Sequence, residues 1–224
     1  MDLLSIASGS SGNCYYVGSE ETHLLVDAGV SGKKIESALN EIDRKPSDLN
    51  GILVTHEHID HVKGLGVMAR KHGIPIYTTG GTISEIKKMS SIGTIDDSLF
   101  HEIEPDEPFF INDLSIDASA IWHDAADPVC YSISDGKSKF SIATDMGNYD
   151  EYVVNKLKNS DIMVIEANHD IRMLQAGPYP YYLKQRILGN RGHLSNERSG
   201  QLIKALLNSH IKAILLGHLS KENN

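Results

Sequence analysis

Short apolar runs separated by turn residues dominate the first hundred positions, and several precede segments with helical spacing. Strands are predicted at 3–7, 14–17, 23–26, 51–54 and 74–77. Ser31 can cap a helix that extends to about Ile42, and further helices are predicted over 61–72 and 82–89. This half of the chain therefore combines strands with intervening helices.

The remaining pattern begins with strands and returns to helices. Strands are predicted at 99–103, 108–111, 114–120, 128–134 and 138–144, with a hairpin turn at 135–137. Helices follow at 149–158, 180–188 and 195–208, together with a strand at 161–166 and a buried strand at 211–216. Strand-rich runs with helices on both sides predict an α+β fold in which two sheets pack face to face. Without a linker or repeat, 1–224 is predicted to form a single domain.

Composition narrows the class of protein. The chain has 224 residues, of which 40% are hydrophobic and 23% charged, as in ordinary globular proteins. No apolar run approaches the roughly 18 residues of a membrane span, and the N-terminal residues lack the features of a signal peptide. Cys14 and Cys130 have no closely spaced partner, which indicates buried, reduced thiols and a cytoplasmic location.

Charge is distributed unevenly along the chain. The net charge of −9 argues against a protein that coats nucleic acid with its whole surface. From Thr94 to Asp117 there are eight acidic residues and no Lys or Arg, whereas Arg172 to Lys204 contains six basic residues and one acidic residue. A polyanion would therefore have to contact the second stretch.

Three imidazoles and two carboxylates occur directly after the apolar run 51–54. The stretch reads Thr55-His56-Glu57-His58-Ile59-Asp60-His61. Alternate side chains of an extended segment project to one side, so His56 and His58 can bind one cation. If a helix follows, Asp60 and His61 can face a second cation. Neutral imidazole and carboxylate suit Zn²⁺, Mn²⁺ or Fe²⁺, and a solvated histidine-rich turn is the alternative without a metal.

The pattern His-x-His-x-Asp-His resembles that of the metallo-β-lactamase fold superfamily. The resemblance implies a four-layer αββα sandwich with two divalent metal ions along one edge. Three residues near the ends of predicted strands match the remaining ligands of the superfamily: His123, Asp145 and His218. The match implies two ligand sets, His56 with His58 and His123, and Asp60 with His61 and His218. It also implies that Asp145 lies between the two cations.

Two bound cations can lower the pKa of a water molecule and offset charge on the attacked centre, so the predicted reaction class is hydrolysis. Asp27, at the end of strand 23–26, either accepts a hydrogen bond from a ligand imidazole or is simply a polar strand end. Four histidines have no placement at a strand end and are predicted to be surface residues: His23, His72, His101 and His210.

Two later segments resemble paired loops of phosphodiesterase branches of the superfamily, such as tRNA 3′-processing endonuclease. They are Glu166-Ala167-Asn168-His169-Asp170 and Gly192-His193-Leu194-Ser195-Asn196. The match implies that His193, oriented by Glu166, contacts the scissile phosphate and acts as an acid toward the leaving oxygen. Asp60, His193 and Glu166 are thus the candidate catalytic residues. The structural alternative is a helix N-terminus capped by Ser195, with His193 merely adjacent.

Aromatic and basic residues are interleaved between these two segments. Such residues can stack on bases and contact phosphates, although tyrosines in a helix are as often part of a core. The candidate substrate-binding residues are Tyr181, Lys184, Arg186, Arg191 and Ser195.

A narrower resemblance extends over nearly the whole chain. Its motifs include Ser8-Gly9-Ser10-Ser11-Gly12-Asn13, the two segments above, and Gly217-His218-Leu219-Ser220-Lys221-Glu222-Asn223-Asn224. Together they resemble the YycJ/VicX (WalJ) branch of these hydrolases. The resemblance implies a cytosolic, metal-dependent 5′→3′ exonuclease that acts on DNA in preference to RNA. Members of that branch continue for some tens of residues beyond this motif, so the C-terminus is expected to be shortened.

Three functional hypotheses remain open at this stage. The first is a dinuclear metal phosphodiesterase that hydrolyses nucleic acid. The second is a hydrolase of a small ester, lactone, thioester or cyclic phosphodiester, which a narrow pocket would favour. The third is a non-catalytic regulator that retains the metal site for stability. The residues leave the native metal and the oligomeric state undetermined, and a dimer is compatible with them.

Overall fold

The computed structural model describes residues 1–207 and 210–224. Its first sheet contains six strands in sequence order: β1 Asp2–Ala7, β2 Cys14–Gly18, β3 His23–Val26, β4 Gly51–Leu53, β5 Ile76–Thr78 and β6 Phe100–Glu102. β1, β2 and β3 pair antiparallel, whereas β3 to β6 pair parallel. The carboxyl ends of the four parallel strands therefore lie along one edge of the sheet.

The second sheet contains the other six strands: β7 Phe109–Ile111, β8 Leu114–Ala120, β9 Val129–Ser134, β10 Lys139–Ala143, β11 Ile162–Glu166 and β12 Ala213–Gly217. β7 to β10 pair antiparallel, and β10, β11 and β12 pair parallel. Alternation is clear in β8, where Leu114, Ile116 and Ala118 are fully buried.

In the part of the chain that the structure describes, eight α-helices flank the sheets: α1 Gly32–Asn40, α2 Ile59–Val62, α3 Leu65–His72, α4 Gly80–Lys88, α5 Glu151–Leu157, α6 Ile171–Ala176, α7 Tyr181–Leu188 and α8 Asn196–Leu206. Short 3₁₀ turns occupy Pro46–Asp48 and Asp97–Leu99. Ser31 caps α1 as predicted, because its side chain accepts a hydrogen bond from the Lys34 N–H. None of the helices in residues 1–207 and 210–224 has the length and apolar character of a membrane span.

Successive strand residues divide the core into three layers. In β2, Tyr15 packs between the sheets, whereas its neighbour Tyr16 packs on the opposite face of the first sheet. Residues of α1 and α3 cover that outer face, and residues of α5 and α8 cover the outer face of the second sheet. The architecture is the αββα sandwich that the family resemblance implies, and both free cysteines are buried in it.

The structure corrects three details. The predicted helix 61–72 is interrupted at Gly64, whose N–H bonds to the Ala28 carbonyl at 2.8 Å and where a Cβ would approach the Val30 oxygen. The strand predicted as buried at 211–216 is the edge strand β12, with Leu216 53% exposed. α6, capped by Asp170, was absent from the prediction. The last residue of the predicted helix 195–208 lies outside the described residues.

One prediction about the surface was wrong. His23 is 8% exposed, because its Nδ1 lies 2.8 Å from the Tyr16 hydroxyl and its backbone N–H donates to Asn50. Burial lowers the pKa of His23, so the ring is a neutral part of the core.

Candidate metal and catalytic centre

Three histidines surround one point at the edge of the sandwich, and we call them the trihistidine site: His56, His58 and His123. His56 and His58 come from the loop between β4 and α2, and His123 follows β8. The three ring centroids are 4.6, 4.8 and 4.9 Å apart, with interplanar angles of 79°, 77° and 72°. Rings this close and nearly perpendicular can direct one nitrogen each at a common cation, and suitable atoms of all three lie within 4.8 Å of one another.

A second group lies beside the first, and we call it the mixed site: Asp60, His61 and His218. Asp60 and His61 belong to α2, and His218 follows β12. The Asp60 Oδ2 atom is 3.6 Å from His61 Nε2 and 3.5 Å from His218 Nε2. The two sites adjoin each other, because the His61 ring centroid is only 4.1 Å from that of His56.

Asp145 lies between the two groups. One carboxylate oxygen, Oδ2, is 3.2 Å from His61 Nε2, and the other is 3.9 Å from His123 Nε2 and 3.6 Å from His218 Nδ1. The side chain is almost fully buried, two residues after β10. The structure thus brings all seven ligand candidates of the sequence analysis together.

The donor set fits divalent cations. His56 Nε2 is buried without a hydrogen-bond partner in the described part of the chain, which is costly unless another group satisfies it. Burial and the neighbouring His61 lower the pKa of His56 well below its usual value, and burial also lowers the pKa of His123. Both rings are therefore neutral, the form in which imidazole binds a metal.

Asp27 positions one imidazole of each site, His61 directly and His56 through Thr55. Its carboxylate is fully buried and lies 2.7 Å from His61 Nδ1, which leaves His61 Nε2 facing the mixed site. The same carboxylate accepts hydrogen bonds from the Thr55 N–H at 2.8 Å and the Thr55 hydroxyl, and that hydroxyl is 3.0 Å from His56 Nδ1. Of the two readings of Asp27, this geometry supports the hydrogen-bond acceptor for an imidazole.

Glu166 connects His193 to the mixed site. Its Oε1 atom is 2.8 Å from His193 Nδ1 and 2.9 Å from His218 Nδ1, and Oε2 accepts the backbone N–H groups of Met146 and Leu194. Burial works against ionisation, but the charge of His193 and the hydrogen bonds from His193 and His218 lower the pKa of Glu166 to about 2. Glu166 is therefore an anion that orients two imidazoles at once.

Three residues at this centre have left-handed backbone conformations that only glycine adopts without cost. The φ angles are 61° for Asp27, 61° for Asp145 and 53° for His218. Each directly follows a strand or lies two residues beyond one. Such conformations cost of order 1–3 kcal/mol each and concentrate at functional sites.

The predicted substrate-binding residues have different environments. Tyr181 is 77% exposed, and Arg191 is exposed two residues before His193. The Lys184 ammonium donates to the Gln175 and Gly177 carbonyls, and Arg186 forms a two-point ion pair with Asp124. Ser195 caps α8, as the structural alternative predicts. The His193–Glu166 contact, which the family resemblance implies, is present as well.

Three polar residues were absent from the predicted site. Asn13 is fully buried, and its Nδ2 atom lies 3.0 Å from His61 Nε2 and 3.5 Å from Asp60 Oδ2. Asn168 donates to the His218 carbonyl at 2.9 Å, and Ser8 accepts the His218 N–H at 2.8 Å. The turn that contains Ser8 and Asn13 was recognised only as a family motif, because nothing in its local pattern indicates contact with a segment 210 residues away.

Comparison with known proteins identifies the family of this chain. A family model described as "Beta-lactamase superfamily domain" matches residues 22–219. The chain is 44% identical to exodeoxyribonuclease WalJ of Streptococcus pneumoniae, over 98% of this chain and 81% of that protein. It is 37% identical to exodeoxyribonuclease YycJ of Bacillus anthracis, over 98% of this chain and 82% of that protein.

Solved structures show the same fold at lower sequence identity. The short form of human tRNase Z aligns with a TM-score of 0.73 and 19% identity over 99% of this chain and 93% of that chain. Zinc-bound PqqB from Methylobacterium extorquens aligns with a TM-score of 0.75 and 15% identity over 99% of this chain and 90% of that chain.

Proposed function

The chain belongs to the beta-lactamase superfamily and, within it, to the family of the exodeoxyribonucleases WalJ and YycJ, and we propose on this premise that it is a metal-dependent 5′→3′ exonuclease of DNA. The observation that carries the proposal is the buried Glu166 carboxylate, which holds His193 beside the seven ligand candidates. An imidazole oriented in this way at the rim of a metal cluster suits phosphodiester hydrolysis.

The donors suit two divalent cations, Zn²⁺ or Mn²⁺, with Fe²⁺ as a third candidate. The trihistidine site would hold one cation, the mixed site would hold the other, and Asp145 would contact both. When bound, the two cations supply an activated water and offset negative charge on the attacked phosphate.

The side chains of this protein perform the remaining tasks. Asp27 engages His61 Nδ1 and so directs Nε2 to the mixed site, and Asp60 contributes a carboxylate oxygen to that site. Glu166 engages His193 Nδ1 at 2.8 Å, so His193 Nε2 is the atom that donates a proton to the leaving oxygen. The His193 side chain is 18% exposed, which gives a substrate access to it.

Several features support DNA as the partner and a cytoplasmic location. Arg191 and Tyr181 are exposed on the segment that carries the excess of basic residues, where phosphates and bases can contact them. Cys14 and Cys130 are both free thiols. Candidate ligands come from both sheets, so 1–224 would have to act as one domain.

The test compares His193→Ala with the wild type and with His101→Ala, a matched control at an exposed histidine outside the centre. Substrates are single-stranded DNA and RNA carrying a 5′ or a 3′ label, with Mn²⁺ or Zn²⁺. We expect the wild type to release mononucleotides from the 5′ end of DNA. His193→Ala should keep its metal content while kcat falls about 10²–10⁴-fold, the range for loss of a general acid.

A His61→Ala variant serves as the metal-deficient control. Loss of metal from His193→Ala would contradict the role given to His193, and unchanged kcat in that variant would do the same. Equal inertness of the wild type and His61→Ala toward every nucleic acid would overturn the proposed function.

A further inference from the structure

A cavity of about 300 Å³ is lined in part by His193 and by none of the seven candidate metal ligands. The residues that matter for its chemistry are Asn148, His169, Asn190, His193, Ser195 and Arg198. None of the described residues that line it is acidic. In a protein with a net charge of −9, a cavity without carboxylates beside a candidate phosphodiesterase centre suits an anionic ligand.

Arg198 supplies the positive charge of this cavity. Its guanidinium donates to Asn148 Oδ1 at 2.6 Å and Gln201 Oε1 at 3.2 Å, and it lies 4.6 Å from the centre of the Tyr149 ring. These partners are neutral, and no carboxylate forms an ion pair with Arg198 within residues 1–207 and 210–224. By contrast, Arg186 is neutralised by Asp124. The guanidinium of Arg198 is thus held in place with its charge uncompensated.

His169 provides an independent indication of a ligand. His169 lines the cavity and is 1% exposed, yet its Nε2 atom has no hydrogen-bond partner among the described residues. Asn168 donates through Nδ2 to the His218 carbonyl, so its Oδ1 atom is the acceptor that faces His169 Nδ1 at 3.2 Å. In the neutral ring the proton is then on Nδ1, and Nε2 is an unsatisfied acceptor that requires a donor.

A nucleotide carries both an anion for the Arg198 guanidinium and a hydrogen-bond donor for His169 Nε2. Its phosphate can contact Arg198, and an N–H group of its base can donate to His169. The volume of the cavity is at the lower end of the range of small-molecule sites, about 300–1,000 Å³, which suits one nucleotide. The His193 ring, which forms one wall, lies 5.0 Å from the His218 ring and 5.2 Å from the His123 ring.

We propose that this cavity binds the nucleotide adjacent to the scissile phosphodiester, on the leaving-group side, with Arg198 contacting its phosphate and His169 accepting a hydrogen bond from it. The proposal rests on the proposed function, because the position of His193 as the acid defines the leaving-group side. Arg198 and His169 are thereby assigned as substrate-positioning residues.

The experiment measures steady-state kinetics of Arg198→Gln, Arg198→Lys and Arg172→Gln on single-stranded DNA. Arg172 is exposed on α6 and does not line the cavity, so its variant controls for general attraction between the protein and a polyanion. We expect Arg198→Gln to raise KM about tenfold with kcat little changed, as loss of one charge-assisted contact predicts. Arg198→Lys should fall between Arg198→Gln and the wild type, because lysine keeps the charge without the planar fork.

A second substrate separates this inference from the proposed function. Bis(p-nitrophenyl) phosphate contains a scissile phosphodiester but no neighbouring nucleotide phosphate. Arg198→Gln should therefore impair hydrolysis of DNA about tenfold more than hydrolysis of this diester. His169→Phe, which fills the same place without an acceptor, should raise KM for DNA in the same selective way, and thermal denaturation checks that it is folded.

The results that would overturn the inference are distinct from failure of the proposed function. Equal KM increases in Arg198→Gln and Arg172→Gln would mean that only general electrostatic attraction is involved. Equal losses on DNA and on the small diester would mean that Arg198 acts on the centre itself. If the wild type hydrolyses the small diester but no nucleic acid, the proposed function is wrong and the cavity has no nucleotide to bind.

Discussion

The trihistidine site and the mixed site lie side by side but differ in charge. The pKa values of His56 and His123 are lowered, so both rings are ready to bind a cation at neutral pH. In the mixed site, burial alone would lower the pKa of His218, but Asp145, Asp60 and Glu166 raise it to about 10. A proton therefore occupies His218 until a cation displaces it. The same residue type is prepared for metal in one site and protected by a proton in the other.

The two sites also differ in how the fold constructs them. His56 and His58 belong to one short loop, and His123 donates from Nδ1 to the Gly192 carbonyl at 3.1 Å. His218 is held by Ser8, Asn168 and Glu166, all of which are remote from it in sequence. The mixed site thus depends on more long-range contacts, and its metal affinity should be the more sensitive of the two.

The largest expected effect comes from removing one histidine from each site. His123→Ala and His218→Ala should each retain one cation per chain, and turnover should fall on the order of 10³-fold in both, because both cations stabilise the transition state. His218→Ala should also lower the melting temperature of the metal-free protein more than His123→Ala, since it removes a charged imidazole from beside the buried carboxylates of Glu166 and Asp145. Metal analysis measures the cation content of each variant, and calorimetry measures its melting temperature. Loss of both cations from each variant would refute two separable sites.

The next effect is a difference in pH dependence. The folded, metal-free protein holds a proton on His218 up to about pH 10, so a cation must displace that proton at any lower pH. Despite burial, Asp145 and Asp27 likewise raise the pKa of His61 well above its usual value, so two protons oppose cation binding at the mixed site. Apparent affinity there should therefore rise by up to about a hundredfold per pH unit between pH 7 and 9, while affinity at the trihistidine site changes little because His56 and His123 are already neutral. Titration calorimetry in buffers of different ionisation enthalpy measures the released protons. Equal proton release on cation binding at the two sites would contradict the proposed difference in their protonation.

The smallest effect concerns Asn13, which contacts only the mixed site. Gly9 donates its N–H to Asn13 Oδ1 at 3.0 Å, and this bond directs Nδ2 toward Asp60 and His61. Once a cation is bound to His61, Asp60 Oδ2 remains as the acceptor for the amide. Asn13→Ala should weaken cation binding at the mixed site about tenfold and leave the trihistidine site unchanged.

A matched control for Asn13→Ala is Asn155→Ala, because Asn155 is exposed and bonds only to Lys158 among the described contacts. Competition with a fluorescent chelator measures both affinities in each variant. Equal weakening at the two sites would assign Asn13 a role in folding rather than in positioning Asp60.

Local pattern was sufficient to predict much of the fold. The alternation in β8 and the cap at Ser31 depend on neighbouring residues, and both agree with the structure. The burial of His23 and the exposure of Leu216 were mispredicted, because both depend on which strand lies beside them. The candidate ligands could be found because each is near a strand end, and strand ends are visible in the pattern of apolar residues.

The amino-acid sequence by itself determined the kinds of donor atoms, their positions after strands, and the family to which the chain belongs. Only the tertiary structure decided which carboxylate faces which imidazole. Glu166 contacts both His193 and His218, Asn13 reaches Asp60, and His169 has an unsatisfied nitrogen in a cavity that contains Arg198. The physical reason is that pKa values and unsatisfied hydrogen bonds arise from distances between segments remote in sequence, and no local pattern specifies those distances.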